Sequence, residues 1–318
     1  MTTKLHSLLA MALLGLAVLV ALSGCGGGGQ DSLFLNVSQR AGWAPIVGGR
    51  LAVASYGGNG LLYLYGMTDA GKSITLLTPS LNDANNLFEG GRHPAFSPDG
   101  ATLAFVSRRG PSEAIYTMNS VTGDRAGVVK ITDDSGLGAD SQPSWSPAPD
   151  ATKLIYSSTR ANGLPSIFTA RSDGSGGITS ILADGFSYEW PGYNPTNPDQ
   201  IVVQSDRDPA NADDTDLFIY TISTAGFSKI ADSDFVDGAP AWSPDGTKIA
   251  FHSNRTGDYD IWVYTISGGA LTHITNDARS DGFPVWNLDG SRLAFTRDRE
   301  LWSCAANGTD QKQITKRF

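Results

Sequence analysis

A repeat that occurs six times restricts the fold of this chain more than any other feature of its sequence. Each copy contains a short apolar segment with one aromatic residue, a turn of the Ser-Pro-Asp-Gly type, a second apolar segment, and an aliphatic-aromatic pair. The first aromatics are Trp43, Phe96, Trp145, Tyr193, Trp242 and Trp286. The pairs are Leu62-Tyr63, Ile115-Tyr116, Ile167-Phe168, Leu217-Phe218, Ile261-Trp262 and Leu301-Trp302. Self-similarity at a period of about 40–50 residues is typical of architectures in which each repeat buries its apolar faces against its neighbours.

The fifth repeat, residues 239–277, indicates what one unit forms. Its segments PAWS, KIAFHS, DIWVYTI and LTHIT have the composition of four successive strands. In the SPDG turn, proline presets φ, aspartate bonds the local backbone, and glycine accepts the left-handed conformation that a tight hairpin needs. The unit is therefore predicted to be a four-stranded antiparallel meander.

Six such meanders packed face to face predict an all-β fold, a six-bladed β-propeller over residues 41–318. The 37 glycines and 16 prolines suit many short strands joined by turns. The repeated aromatics are expected to fill the spaces between blades, at about 1.5–3 kcal/mol for each buried large side chain.

The first 24 residues differ from the rest, because the apolar run LLAMALLGLAVLVA precedes the small residues of LSGC. The run is too short to span about 30 Å of hydrocarbon, so residues 1–24 are predicted to be a cleaved signal peptide. LSGC resembles the bacterial lipobox, which implies that Cys25 is lipidated and anchors the protein to a membrane. The alternative is an ordinary secreted protein with an incidental cysteine. Gly26 and Gly27 after the cysteine favour the outer membrane if the organism has two.

Residues 25–40 are then expected to form a glycine-rich tether and an N-terminal arm. The segment 32–39 alternates like a strand, and whether it joins a blade stays open. With Cys25 lipidated, Cys304 has no disulfide partner, so the core alone must hold the exported domain. Cys304 aligns with Tyr220 and Tyr264 of the preceding repeats and is predicted to be structural.

The net charge of the chain indicates which classes of partner it can bind. The chain has 23 Lys+Arg against 32 Asp+Glu, a net charge of −9. This sign disfavours a nucleic-acid backbone as partner and favours cations, basic peptides or neutral ligands.

The repeats at residues 241–264 and 95–110 resemble those of the TolB-like six-bladed β-propeller family, which also occur as the propeller domain of prolyl-oligopeptidase-type peptidases. Residues 144–163 are a lengthened copy, the fourth and sixth units are degenerate, and the first lacks the Asp-Gly of the turn. The resemblance implies the six-bladed fold. It does not select a function.

The candidate binding residues come from the segments before the first-strand prolines, which read GRHP, DSQP, YEWP, DGAP and DGFP. In a propeller these segments surround one mouth of the central channel. The predicted ligand- or partner-binding rim is His93, Asp140, Glu189, Asp237 and Asp281. A negative rim between low-dielectric walls concentrates cations or basic groups. The alternative is that the aspartates cap turns or pair with neighbouring arginines.

Five arginines recur at one point after the second strand: Arg109, Arg160, Arg207, Arg255 and Arg299. A ring of identical arginines is typical of a repeated framework bond, so they are predicted to be structural rather than catalytic.

The loop at residues 205–216 is rich in acids, and its weak candidates for a metal site are Asp206, Asp208, Asp213, Asp214 and Asp216. The oxygen content suits Ca²⁺, but the spacing is not that of an EF-hand. The alternative is a solvated loop tip, and no other cofactor is indicated.

No G-x-S-x-G elbow is present, so the peptidase branch of the resemblance lacks its nucleophile. The predicted function is a membrane-anchored monomeric propeller, not an enzyme, that binds an envelope protein or peptide. Two alternatives stay open. One is a propeller enzyme, a metal-dependent carbohydrate lyase or a hydrolase, with a site on the channel face; the other is a purely structural envelope module.

Overall fold

The chain forms six four-stranded antiparallel sheets, one for each sequence repeat. The computed structural model describes residues 42–43, 50–56, 62–78, 89–123, 127–133, 136, 138–208, 214–231 and 234–315. The predicted signal peptide, Cys25, the tether and the segment 32–39 lie outside the described residues.

The strands run in chain order from β1 to β24, four to each blade. Blades one and two contain β1 (Gly42–Trp43), β2 (Arg50–Tyr56), β3 (Leu62–Thr68), β4 (Thr75–Leu76), β5 (Glu89–Phe96), β6 (Thr102–Arg108), β7 (Ala114–Asn119) and β8 (Val129–Lys130). Blades three and four contain β9 (Asp140–Trp145), β10 (Lys153–Ser158), β11 (Ser166–Arg171), β12 (Thr179–Leu182), β13 (Tyr188–Asn194), β14 (Asn197–Ser205), β15 (Asp216–Thr221) and β16 (Gly226–Ile230). Blades five and six contain β17 (Asp237–Trp242), β18 (Lys248–Ser253), β19 (Asp260–Thr265), β20 (Leu271–His273), β21 (Asp281–Trp286), β22 (Arg292–Arg297), β23 (Glu300–Ala305) and β24 (Lys312–Gln313).

The sheets close into a ring around a central channel. The first strand of each blade contacts the first strand of the next, from β1 through β5, β9, β13 and β17 to β21, and β21 contacts β1. The first strands are therefore innermost, as in a six-bladed propeller. This confirms the fold predicted from the repeats.

The core is divided among the interfaces between blades. Among the described residues, six apolar clusters each join two adjacent blades, and one of them joins blade six to blade one through Leu301, Ala294, Leu51 and Val53. The aliphatic members of the six sequence pairs are all buried, from Leu62 at 4% exposed to Leu301 at 0%. Each blade thus needs two neighbours to bury both of its faces.

The SPDG turns have the predicted chemistry, as blade five shows. Asp245 accepts hydrogen bonds from the Ser243 hydroxyl (2.6 Å) and the Thr247 N–H (3.1 Å). Gly246 has φ +69°, and a Cβ there would lie 2.6 Å from Oδ1 of Asn194 in blade four. Glycine is therefore required both by the turn and by the contact between blades.

Five of the six first-strand aromatics pack as predicted, and the side chain of the sixth, Trp43, is outside the described part of the structure. Phe96, Trp145, Tyr193, Trp242 and Trp286 all pack against the apolar clusters between blades. The tryptophans also join first strands by hydrogen bonds, because the Nε1–H of Trp145 donates to the Ala95 carbonyl of the preceding blade at 2.8 Å.

Cys304 is a free, fully buried thiol within the cluster between blades five and six, as a structural role requires. No helix in the described part of the chain is both long and apolar enough to cross a membrane.

Candidate functional site

In blades two to six, the first strand carries a bulge immediately before its proline. The strand register shifts there in every one of these blades. The residues at the bulge, which we call the channel ring, are His93, Gln142, Trp190, Ala239 and Phe283, with φ between +48° and +56°. A non-glycine residue in this region costs on the order of 1–3 kcal/mol, and such strain gathers where a side chain must be aimed.

Three channel-ring side chains meet at the centre. The ring centroids of His93 and Trp190 are 5.2 Å apart, and those of Trp190 and Phe283 are 5.3 Å apart. These residues come from blades two, four and six, which alternate around the ring. The three side chains therefore meet across the channel axis and narrow it at this level.

Hydrogen bonds between blades hold the channel ring. Each bonded N–H comes from a channel-ring residue, and each acceptor is a side chain of the preceding blade. The bonds are Gln142 N–H to His93 Nδ1 (3.3 Å), Trp190 N–H to Gln142 Oε1 (2.8 Å), Ala239 N–H to Gln204 Oε1 (3.1 Å) and Phe283 N–H to His252 Nδ1 (3.4 Å). The bulges free these N–H groups from the strand ladder, and the side chains satisfy them.

His252 is enclosed by aromatic rings. Its imidazole lies edge-on to Tyr259 (centroids 5.1 Å apart) and to Phe283 (5.4 Å). Burial lowers the pKa of His252 to about 4, because the charged imidazolium loses its hydration there. At neutral pH the ring is therefore uncharged, with Nδ1 able to accept the N–H of Phe283.

Glu189 precedes Trp190 and is half-buried. Burial is the main cause of its raised pKa, and the nearby charge of Asp206 adds to it. At the equivalent position of blade two, Arg92 forms an ion pair with Glu113. Burial thus disfavours the charged form of Glu189, as it also does for Asp281 at the start of the first strand of blade six.

The three predicted rim aspartates are buried in ion pairs. Asp140, Asp237 and Asp281 are at most 1% exposed. Their carboxylates bind Arg160 (2.5 Å), Arg255 (2.9 Å) and Arg297 (2.5 Å), respectively. Each guanidinium also lies over two aromatic rings of its own blade. At these three positions the aspartates are neutralised by arginines and do not form an exposed negative rim. This agrees with the alternative given in the sequence analysis, that the aspartates pair with neighbouring arginines.

Blade four keeps the arginine but not the aspartate. Tyr188 stands where Asp140 stands in blade three, and its hydroxyl donates to Asp184 (2.9 Å). Arg207 completes the group with bonds to Asp184 (3.1 Å) and to the Tyr188 hydroxyl (2.7 Å). Glu189 is one position further along and has no bond to Arg207 among these contacts.

Blade six corrects the predicted arginine ring. Asp298 and Arg299 have φ +50° and +66° and form the two-residue turn between β22 and β23. Because this turn is short, the framework arginine is Arg297, the last residue of β22, and not Arg299.

The acidic loop of blade four is partly neutralised. Lys229 pairs with Asp208 and with Asp216, the latter at 3.1 Å, and Asp206 accepts the Ser187 N–H at 2.7 Å. Burial is the main cause of a raised pKa in Asp214 and in Asp216, where it reaches about 6. Across the described ranges, no three His, Cys, Asp or Glu side chains are grouped to hold a metal ion. Asp213 lies outside the described residues, so the Ca²⁺ hypothesis stays a prediction.

Exposed apolar side chains lie on the same face as the channel ring. Leu164 (40% exposed) is in the loop between β10 and β11, and Phe186 (37%) and Phe235 (44%) precede β13 and β17. These loops all open at the end where the first strands begin. We call this surface, with the channel ring and Glu189, the channel face.

Of the predicted site residues, only His93 lies in the channel ring. Sequence reasoning missed Gln142, Trp190 and Phe283, although each directly precedes a first-strand proline. The residue directly before that proline, and not the acid three residues before it, marks the channel-ring position in the sequence. Gln204 and His252 carried no comparable signal, because their roles depend on contacts between blades.

The family described as the TolB beta propeller domain matches residues 209–317, from the acidic loop of blade four into blade six. No curated protein matches the chain significantly. The match and the six-bladed fold together confirm the resemblance to TolB-like propeller repeats.

Solved structures share the fold at low identity. TolB from Acinetobacter baumannii is 20% identical with a TM-score of 0.66, covering 81% of this chain and 61% of that one. A puromycin-hydrolyzing peptidase from Mycobacterium tuberculosis is 13% identical (TM-score 0.62; 92% and 48% covered). Oligogalacturonate lyase from Vibrio parahaemolyticus is 14% identical (TM-score 0.57; 90% and 78% covered). The chain thus spans less than two thirds of the first of these proteins, and the likeness establishes the propeller fold alone.

Proposed function

We propose that this protein is an exported, membrane-anchored propeller that binds another envelope protein or a peptide through its channel face. The observation that carries the proposal is the channel ring, in which five blades hold a non-glycine residue at positive φ. Strain repeated in this way is retained where a surface must present particular side chains. Here it presents His93, Trp190 and Phe283 together.

The composition of the channel face supports a macromolecular partner. Binding energy in protein interfaces is concentrated in aromatic residues at the centre, surrounded by contacts that exclude water. Phe283, which is half-buried and packs against the buried Trp190, supplies such a centre, and Leu164, Phe186 and Phe235 are exposed on the same face. A rigid propeller loses little conformational entropy when it binds.

Membrane anchoring through Cys25 is part of the proposal and rests on the LSGC motif and the apolar run before it. Replacing Cys25 by serine should move the protein from the membrane fraction to the soluble fraction. A Cys25→Ser protein that stays with the membrane would overturn the anchor.

The proposal includes no catalytic step. Nδ1 of His93, in the channel ring, and Nδ1 of His252, which bonds the channel-ring residue Phe283, each already accept a backbone N–H, so neither atom is available as a general base in this conformation.

Site-specific photo-crosslinking of the full chain in its own cells tests the proposed surface. A photoreactive amino acid at Phe235 should capture a discrete partner, whereas the same group at Val121 (65% exposed, on the opposite face) should not. Equal capture at both positions, or none at Phe235 and Phe186, would refute binding through the channel face.

A further inference from the structure

A second concave site lies at the other end of the channel, where the first strands end in the SPDG-type turns. It is a cavity of about 400 Å³. Its aromatic lining comes from the equivalent position of five blades: Phe96, Trp145, Tyr193, Trp242 and Trp286. Small-molecule sites are typically cavities of about 300–1,000 Å³ with apolar and aromatic walls.

The tryptophans of this cavity are fixed before any ligand arrives. The Nε1–H groups of Trp145, Trp242 and Trp286 donate to the backbone carbonyls of Ala95 (2.8 Å), Gly192 (3.2 Å) and Ala241 (3.1 Å). These bonds cross from one blade to the preceding one, so each indole is held by two blades. The cavity is therefore pre-organised, and its indole N–H groups are not free to bind a polar ligand.

The described part of the cavity lining is uncharged. No Asp, Glu, Lys, Arg or His is among the described residues that line the cavity. The turns that follow the first strands carry exposed carboxylates near the cavity, among them Asp99, Asp245 and Asp289. Hydrogen bonds from neighbouring serine hydroxyls are the main cause of their lowered pKa values, which keep them ionised. An anion would lose hydration in the cavity and be repelled at its mouth.

We propose that this cavity binds an uncharged small molecule that carries one or two planar apolar rings. The rings would stack against the fixed aromatic side chains, where offset and edge-to-face contacts are favourable. The site is separate from the channel face, since His93, Trp190 and Phe283 lie between them along the channel. It does not depend on the partner proposed for that face.

The test uses 2-naphthalenemethanol as the neutral probe and naphthalene-2-sulfonate as its anionic counterpart. The full chain, as isolated from its own cells, is reconstituted in nanodiscs, and binding is measured by ligand-observed NMR. We expect saturable binding of the alcohol and at least about tenfold weaker binding of the sulfonate. Equal affinity for both probes would overturn the charge argument, and no saturable binding of the alcohol would overturn the site.

A substitution that fills the cavity distinguishes binding of the alcohol in the cavity from its partition into the lipid of the nanodisc. Ser144 lines the cavity and is half-buried, so Ser144→Phe should weaken binding of the alcohol at least about tenfold. The matched control is Ala161→Phe in an exposed loop, which should bind as the wild type does. If Ser144→Phe does not fold, Ala95→Leu fills the same cavity with a smaller group. Wild-type affinity in a folded, filled variant would refute the proposal.

Discussion

The imidazole of His252 in blade five accepts, at Nδ1, the backbone N–H of Phe283 in blade six, across 3.4 Å. Phe283 is a channel-ring residue with φ +56°, so this bond helps to hold its strained backbone. The bond requires an unprotonated Nδ1, because a protonated imidazolium has no acceptor. Burial favours that state by lowering the pKa of His252 to about 4.

His252 should therefore make the stability of the propeller depend on pH. In the unfolded chain its pKa is near 6.5, so between pH 6.5 and about 4 the unfolded state binds more protons than the folded state. The contribution of His252 to the free energy of unfolding should fall as pH decreases through this window, by up to about 3 kcal/mol, whereas Asp216, with its pKa raised to about 6, contributes in the opposite direction. Urea denaturation at a series of pH values measures the slope.

The matched control is His252→Gln, because Gln204 accepts the Ala239 N–H in the equivalent way in blade four. The variant should fold, and the difference in free energy of unfolding between wild type and variant should change by up to about 3 kcal/mol between pH 6.5 and 4. An unchanged slope would assign the pH dependence to other groups.

Asp281→Asn should destabilise the protein strongly. Arg297 is 1% exposed, and its guanidinium bonds both oxygens of Asp281 and also pairs with the more exposed Asp277 at 2.9 Å. The variant therefore leaves a buried charge with Asp277 as its remaining counter-charge. Breaking a buried pair in this way costs about 3–5 kcal/mol. Denaturant unfolding measures the loss.

The comparison for Asp281 is Asp310→Asn, which breaks a solvent-exposed pair with Arg292 and should have a much smaller effect on stability. If both substitutions have equally small effects, the buried pair does not stabilise the ring.

Asp281 and Trp190 show how far the sequence predicts the site. The fold follows from local patterns, because each repeat carries its own strands, turn and aliphatic-aromatic pair. The neutralisation of Asp281 depends on which arginine reaches it, and the short turn at Asp298 and Arg299 moves that role to Arg297. The position of Trp190 depends on a bulge, which shifts every later side chain of the strand relative to its partner. Neither effect leaves a periodic signal in the residue types.

Glu189→Gln should stabilise the folded protein slightly at neutral pH. The raised pKa of Glu189 means that the folded state resists its ionisation, so the carboxyl group contributes most to stability when protonated, at low pH. The variant should therefore be slightly more stable than the wild type at pH 7, and the gain should disappear below the pKa of the unfolded side chain. Paired denaturation curves at pH 7 and pH 3.5 measure it. A loss of stability at pH 7 would mean that the ionised carboxylate has a favourable partner in the folded state.

Two substitutions at Trp242 distinguish the contribution of ring packing from that of the indole hydrogen bond. Its side chain is 9% exposed, packs in the cluster between blades four and five, and donates Nε1–H to the Gly192 carbonyl. Trp242→Ala should cost about 3–5 kcal/mol, because it removes the ring from a packed interface. Trp242→Phe keeps an aromatic ring but removes the donor, leaving a smaller loss that includes about 1 kcal/mol for the hydrogen bond. Equal losses in the two variants would mean that the bond to Gly192, and not the packing of the ring, joins these blades.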